Sequence, residues 1–124
     1  MIDKEILAST LEYQPFPFPH EGDLTLAVRN DAYGLGPAML HIAMKAGSVI
    51  PAHIHNQVAE VLYVADGDFI NEGKNYPTGT SFHIKPGVVH GPHGTKNGCN
   101  LLVLWTDKSM SGNAGLDDFI IPSK

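Results

Sequence analysis

The stretch Gly47-Ser-Val-Ile-Pro-Ala-His53-Ile-His55-Asn-Gln-Val-Ala-Glu60, which runs on to Gly67, decides how this chain folds. It contains two histidines two residues apart and a carboxylate five residues further on. Residues two apart in a β-strand face the same side, so His53 and His55 are predicted to project together. Glu60 lies in the next apolar run, where an unpaired carboxylate on a buried face would be costly. A metal ion beside the two imidazoles would remove that cost.

A second histidine signal follows at Lys85-Pro86-Gly87-Val88-Val89-His90, after a glycine-rich turn. His90 stands at the end of a strand that can close over the same point. Three imidazole nitrogens and one carboxylate oxygen suit iron(II), manganese, nickel, copper or zinc. We therefore predict one divalent transition metal per chain, held by His53, His55, Glu60 and His90. Such a set leaves two coordination positions open on an octahedral ion, which suits catalysis better than a closed structural site.

Composition limits the class of protein. The chain has 124 residues, enough for one domain, and a net charge of −5 from 8 basic and 13 acidic residues. It has no basic run that could follow a phosphate backbone, which argues against nucleic-acid binding. It also has no apolar run of membrane-spanning length and no secretory signal at its start. The single cysteine rules out an internal disulfide, so we expect a cytoplasmic protein without membrane or nucleic-acid partners.

Hydrophobic patterning predicts an all-β fold. Thirteen glycines and nine prolines interrupt the chain often, which favours many short strands over long helices. Strands are predicted over 24–29, 38–46, 58–65, 69–76 (a hairpin), 81–84 and 100–106. This spacing is typical of a sandwich or a barrel. We expect one domain over 1–124, with an N-terminal arm (1–22), a barrel that carries the metal site (23–106) and a C-terminal tail (107–124).

The two histidine stretches carry a resemblance. The spacing Gly47-(x5)-His53-x-His55-(x4)-Glu60-(x6)-Gly67 resembles the first cupin motif at every fixed position. The spacing Gly79-(x5)-Lys85-Pro86-Gly87-(x2)-His90 is similar to the second motif, although Lys85 stands where that family usually has proline. Within the superfamily the chain looks like the cupin domain of ChrR-type anti-sigma factors and the acetylacetone-cleaving dioxygenases. The resemblance implies an antiparallel jelly-roll β-barrel (RmlC-like), with His53, His55, Glu60 and His90 as metal ligands.

The resemblance also implies a range of functions. The first expectation is a mononuclear metal-dependent dioxygenase, with iron(II) as the favoured metal. It would act on a small chelating substrate, which would be a diketone, an enediol or a phenol. One alternative is a metal-dependent isomerase or lyase of a small keto or sugar acid, in which Glu60 or His83 would move a proton. Another alternative is a non-catalytic domain that senses a metal or a small molecule. A homodimer, formed through edge strands and the N-terminal arm, is expected as well.

Further residues are candidates for the substrate pocket. We predict pocket roles for His41, Gln57, Phe82 and Trp105, and catalytic roles for Glu60 and His83. His93 lies in a glycine-rich loop three residues after His90, where it could reach the mouth of the barrel, although a solvated side chain is the simpler interpretation.

Overall fold

The computed structural model describes residues 1–2, 5–29, 38–105 and 118–122. Most of the predicted C-terminal tail, 107–117 and 123–124, therefore lies outside the described residues. Among the residues that are described, no helix is long and apolar enough to cross a membrane.

Ten β-strands and one 3-10 turn make up the secondary structure of the described residues, and none of these residues is α-helical. The strands are β1 (Gln14–Pro15), β2 (Leu24–Val28), β3 (Ala38–Met44), β4 (Val49–Ile50), β5 (Glu60–Gly67), β6 (Phe69–Asn71), β7 (Lys74–Tyr76), β8 (Ser81–Ile84), β9 (His93–Gly94) and β10 (Cys99–Trp105). The 3-10 turn covers Ala8–Thr10. The all-β prediction is confirmed, but the short strands β1, β4 and β9 had no alternation long enough to reveal them.

The strands form two antiparallel sheets. The larger has six strands in the order β1-β2-β3-β10-β5-β8, and the smaller has four in the order β4-β9-β6-β7. Neighbours in both sheets pair antiparallel, for example Leu101 of β10 with Ile42 of β3. This arrangement confirms the predicted jelly-roll fold. The predicted N-terminal arm contributes β1, which pairs with β2 at one edge of the larger sheet.

A single hydrophobic core combines residues of both sheets. Strands β3 and β10 bury every second side chain, as period-two alternation requires. Ile50 of β4 and Phe69 of β6 close the core from the smaller sheet. At one end of the larger sheet, Glu60 on β5 pairs with Trp105 on β10 and with Ile84 on β8. This end of the sheet carries the polar residues described next.

Gly67 has a structural reason for its place in the motif. Its φ is +84°, and a Cβ there would lie 2.1 Å from the carbonyl oxygen of Gly98 and 2.7 Å from the Cα of Cys99. No side chain fits so close to a neighbouring backbone. The contact lies beside the register shift between Asn100 and Leu101 on β10, where β5 ends.

Candidate metal centre

Three predicted histidines come together in the structure. His53, His55 and His90 each offer a ring nitrogen, and these three atoms all lie within 4.8 Å of one another. All three side chains are buried, with exposed fractions of 4%, 4% and 6%. The backbone brings them together: His53 and His90 form an isolated antiparallel bridge in which each N–H donates to the other's carbonyl oxygen at 3.0 Å. A cluster of three histidines of this kind can hold a divalent metal ion.

Backbone carbonyls orient the three rings. Each Nδ1 atom lies 2.6–3.1 Å from a carbonyl oxygen, which belongs to Pro51, Asp118 or Val88. A carbonyl only accepts hydrogen bonds, so Nδ1 carries the ring proton and Nε2 is left with a lone pair. The Nε2 atom of His90 is buried and has no hydrogen-bond partner within the described part of the chain. Three lone pairs presented in this way fit a metal ion, because metal-bound histidines are oriented by the same second hydrogen bond.

Glu60 lies beside the cluster. Its side chain is 5% exposed, and Trp105 donates its indole N–H to Oε1 at 2.9 Å. The Oε1 atom is 3.5 Å from Nε2 of His55, and Oε2 is 3.3 Å from Nε2 of His90. The structure thus brings all four predicted ligands together, and it adds a tryptophan that fixes the carboxylate.

Charge coupling between Glu60 and the histidines alters their pKa values. Burial alone would raise the pKa of Glu60, but the neighbouring imidazoles of His55 and His90 outweigh it and hold that pKa well below its usual range. Burial alone would lower the pKa of His55, and Glu60 outweighs it and raises that pKa. For His53, burial dominates and lowers the pKa to about 4. The site therefore holds a carboxylate and at least one neutral imidazole at neutral pH, as metal binding requires.

A segment near the C-terminus completes the site. Asp118 is 2% exposed, and its carboxylate accepts the backbone N–H groups of Asn56 at 2.8 Å and Gln57 at 2.9 Å. Its carbonyl oxygen is the acceptor for Nδ1 of His55. The next residue, Phe119, stacks on the His53 ring at 4.1 Å with the planes 18° apart. The sequence showed only an apolar patch here, because nothing local indicates which distant loop a tail will contact.

Two histidines of the cluster, His53 and His55, border a small cavity. The cavity volume is about 30 Å³. Its walls are mostly aliphatic and aromatic. The ionisable side chains that line it are His53, His55, His93 and Glu60. The lining residues are Phe16, Phe18, Leu26, Leu40, Ile42, Ile50, His53, His55, Glu60, Leu62, His93, Leu101, Val103, Trp105 and Phe119.

His93 is the residue that sequence interpretation misplaced. It was expected to be solvated, yet it is 4% exposed and lies on the short strand β9. Its ring centroid is 5.6 Å from that of His53 and 5.5 Å from that of His90. Burial is the main reason that its pKa falls to about 3, so the ring is neutral. A two-residue strand among glycines gives no alternation signal, which explains the wrong expectation.

Comparison with known proteins identifies the family. A family model described as the ChrR cupin-like domain matches residues 6–107. The chain belongs to this family. Among curated proteins, none matches this ChrR cupin-like domain at a significant level.

Solved structures share the fold of this ChrR cupin-like domain. An RmlC-like cupin from Shewanella frigidimarina has a TM-score of 0.70 and 21% identity, over 85% of this chain and 91% of that one. An acetylacetone dioxygenase from Acinetobacter johnsonii has a TM-score of 0.67 and 16% identity, over 86% and 74%. The anti-sigma factor ChrR of Rhodobacter sphaeroides, solved in complex with SigE, has a TM-score of 0.62 and 17% identity, over 82% and 52%. Their differing descriptions mean that the fold does not specify the activity.

Two of the predicted pocket residues of this ChrR cupin-like domain lie near the cluster. Trp105 lines the cavity, and its ring centroid is 5.6 Å from that of His55. Phe82 lines a second pocket, which it shares with His90 and His93. Phe82 also packs edge-on against Tyr76 at 4.9 Å, so it is anchored between strands β7 and β8.

The structure places three other predicted residues outside the cavity that His53 and His55 line. His41 lies on the face of β3 opposite the buried residues, where its ring nitrogens contact the Tyr13 hydroxyl and, at 2.9 Å, Oδ1 of Asn100. Gln57 is exposed, and its backbone N–H donates to Asp118 instead. His83 is exposed on the side of β8 away from Phe82, at the rim of the second pocket.

Proposed function

We propose that this ChrR cupin-like domain is a mononuclear metal-dependent dioxygenase that acts on a small chelating substrate. The observation that carries the proposal is the convergence of three imidazole lone pairs, each fixed by a backbone carbonyl, beside an apolar cavity that His53 and His55 line. An open donor set in such a cavity supports chemistry, whereas a structural metal site is closed by its own ligands.

His53, His55 and His90 would hold the ion, and Glu60 is proposed as a fourth, displaceable ligand. A diketone, an enediol or a phenol would coordinate the ion held there, and iron(II) would supply activation of that substrate toward dioxygen. Trp105 would keep the Glu60 carboxylate in place whenever that carboxylate leaves the ion, because the indole hydrogen bond at 2.9 Å does not depend on the metal.

The protein's own contribution is exclusion of water and restriction of substrate size. Phe18 stacks on Phe119 at 4.3 Å with the planes 3° apart, so the N-terminal arm and the C-terminal segment meet over the cavity. Phe16, which is 6% exposed, packs edge-on against both rings. A wall of this kind keeps bulk water from the reacting groups and excludes large substrates.

The test is oxygen uptake by protein loaded anaerobically with iron(II). A panel of β-diketones, enediols and catechols is offered to the wild type and to His53→Ala. The proposal expects stoichiometric iron and substrate-dependent uptake in the wild type, and neither in the variant. Stoichiometric iron without uptake on any member of the panel would contradict the dioxygenase proposal. Glu60→Ala should weaken iron binding less than His53→Ala does if Glu60 is displaceable.

A non-catalytic sensor is the second candidate, because the family model carries the description of ChrR, and the solved ChrR structure is a complex with SigE. A sensor would bind metal and ligand at the same histidines without consuming oxygen. The oxygen-uptake test therefore separates the two candidates. The homodimer remains a prediction, and measurement of the molar mass in solution by light scattering would test it.

A further inference from the structure

The Nε2 atom of His93 has no hydrogen-bond partner among the described residues, although it is buried. Buried polar atoms in folded proteins nearly always have a partner, so each exception needs an explanation. The proposed metal ligands do not supply one. His93 lies outside the group of three histidines whose nitrogens fall within 4.8 Å of one another.

The structure holds the His93 ring firmly in one orientation. Strand β9 pairs with β4 at Ile50 and with β6 at Asn71. Asn71 also binds the ring, since its Oδ1 lies 3.0 Å from Nδ1 of His93. The ring packs on Phe69 at 5.2 Å between centroids. An oxygen acceptor at Nδ1 means that this nitrogen carries the proton, and Nε2 is then an acceptor only.

The ring that carries the free acceptor borders a cavity that three of the four proposed metal ligands also border. His93 lines that cavity together with His53, His55 and Glu60. In an imidazole ring Nε2 is directed nearly opposite to Nδ1, so it faces away from Asn71. A fixed acceptor beside a donor set suits a ligand that carries a hydrogen-bond donor close to its chelating atoms.

We propose that His93 is a substrate-contact residue whose Nε2 atom accepts a hydrogen bond from an O–H group that a chelating substrate keeps when it binds. The assignment rests on the proposed function of the histidine cluster and narrows its substrate class. A β-diketone chelates as its enolate and has no O–H left to donate. An enediol or a catechol that chelates as a monoanion keeps one O–H group. His93 therefore favours enediol-type and catechol-type substrates over β-diketones.

The experiment measures equilibrium binding to zinc-loaded protein, which does not consume oxygen. Catechol and acetylacetone are titrated by calorimetry into the wild type, His93→Phe and His93→Gln. Phenylalanine keeps a ring of similar size without the acceptor, and glutamine restores an amide oxygen near the position of Nε2. His41→Phe is the matched control, because it makes the same change on the outer face of β3. Zinc content and thermal unfolding are measured for every variant.

Loss of one hydrogen bond to a neutral acceptor should weaken catechol binding by about tenfold in His93→Phe. Acetylacetone binding should change by less than about twofold on the same reasoning. His93→Gln should recover most of the catechol affinity, and His41→Phe should match the wild type. If His93→Phe fails to fold, Asn71→Ala removes the hydrogen bond that fixes the ring, and it should weaken catechol selectively.

Three results would overturn the assignment of His93 as a substrate-contact residue without refuting the metal centre. Unchanged catechol affinity in His93→Phe would mean that His93 does not touch the ligand. Equal losses for both probes would indicate a packing role. Loss of zinc from His93→Phe would make His93 a metal ligand. Failure of the wild type to bind zinc would refute both the metal centre and the His93 assignment, whereas zinc binding without oxygen uptake by the iron form would refute the dioxygenase proposal alone.

Discussion

Replacing Asp118 by alanine should weaken both the fold and the metal site. The carboxylate is 2% exposed and accepts two backbone N–H groups, from Asn56 at 2.8 Å and from Gln57 at 2.9 Å. A hydrogen bond to a charged acceptor contributes about 1.5 kcal/mol at the lower end of its range, so the two together contribute about 3 kcal/mol. Chemical denaturation of the metal-free variant should show a loss of that size.

The same change should lower metal affinity by about tenfold, the usual lower limit for losing a group that orients a ligand. The loss is not expected to be larger, because the carbonyl oxygen of residue 118 stays available to Nδ1 of His55. Asp118→Asn should lose about half as much stability, since an amide oxygen can accept one N–H while its NH2 group opposes the other. Affinity is measured by competition with a chelator of known strength.

Asp68 offers a matched control. Its carboxylate also accepts two backbone N–H groups, from Lys96 at 2.7 Å and Asn97 at 3.0 Å, but it is not among the residues that line the metal cavity. Asp68→Ala should reduce stability by less, because these bonds are exposed to solvent. It should leave metal affinity unchanged. Equal metal affinities for Asp118→Ala and the wild type would refute the reasoning about the C-terminal segment.

Three other predictions follow from the buried rings. In the metal-free folded protein the pKa is about 4 for His53 and about 3 for His93. In the unfolded state both imidazoles bind protons near pH 6.5. The free energy of unfolding should therefore fall by about 2 kcal/mol for each histidine between pH 7 and pH 5. The raised pKa of His55 offsets part of this loss. An equal free energy of unfolding at both pH values would contradict the prediction. Metal titration should change the fluorescence of Trp105, the only tryptophan in the sequence, because its indole N–H donates to Glu60. An unchanged emission spectrum at full metal occupancy would argue against Glu60 as a ligand. Phe119→Ala should cost about 3 kcal/mol and speed metal release to a chelator, since it uncovers His53; release at the wild-type rate would show that Phe119 does not cover the site.

The sequence predicted the parts of the site that follow from local geometry. The spacing of His53 and His55 translates directly into side chains on one face, and the cost of burying Glu60 indicated a partner for it. The fold class followed from the regular spacing of apolar runs and turns. His90 was predicted because its bend could be recognised from the glycine and proline before it.

The missed parts depend on contacts between distant segments. Asp118 reaches the loop at 56–57 from the far end of the chain, and no local pattern encodes that pairing. His93 lies on a strand of two residues, too short for alternation to show that it is buried. His41 was grouped correctly with Met39 and Ala43 on one face of β3, but the strand alone did not show that this face turns outward. The alternation of side chains along a strand shows which residues share a face, but tertiary packing decides which face turns inward.

The most direct test of the account is the X-ray absorption spectrum of protein loaded with one iron(II) per chain. The account predicts scattering from three imidazole rings at the metal, and it predicts that His53→Ala, His55→Ala and His90→Ala each fail to retain the ion. A spectrum without imidazole scattering, or full iron retention in all three variants, would contradict the claim that these histidines form a metal centre.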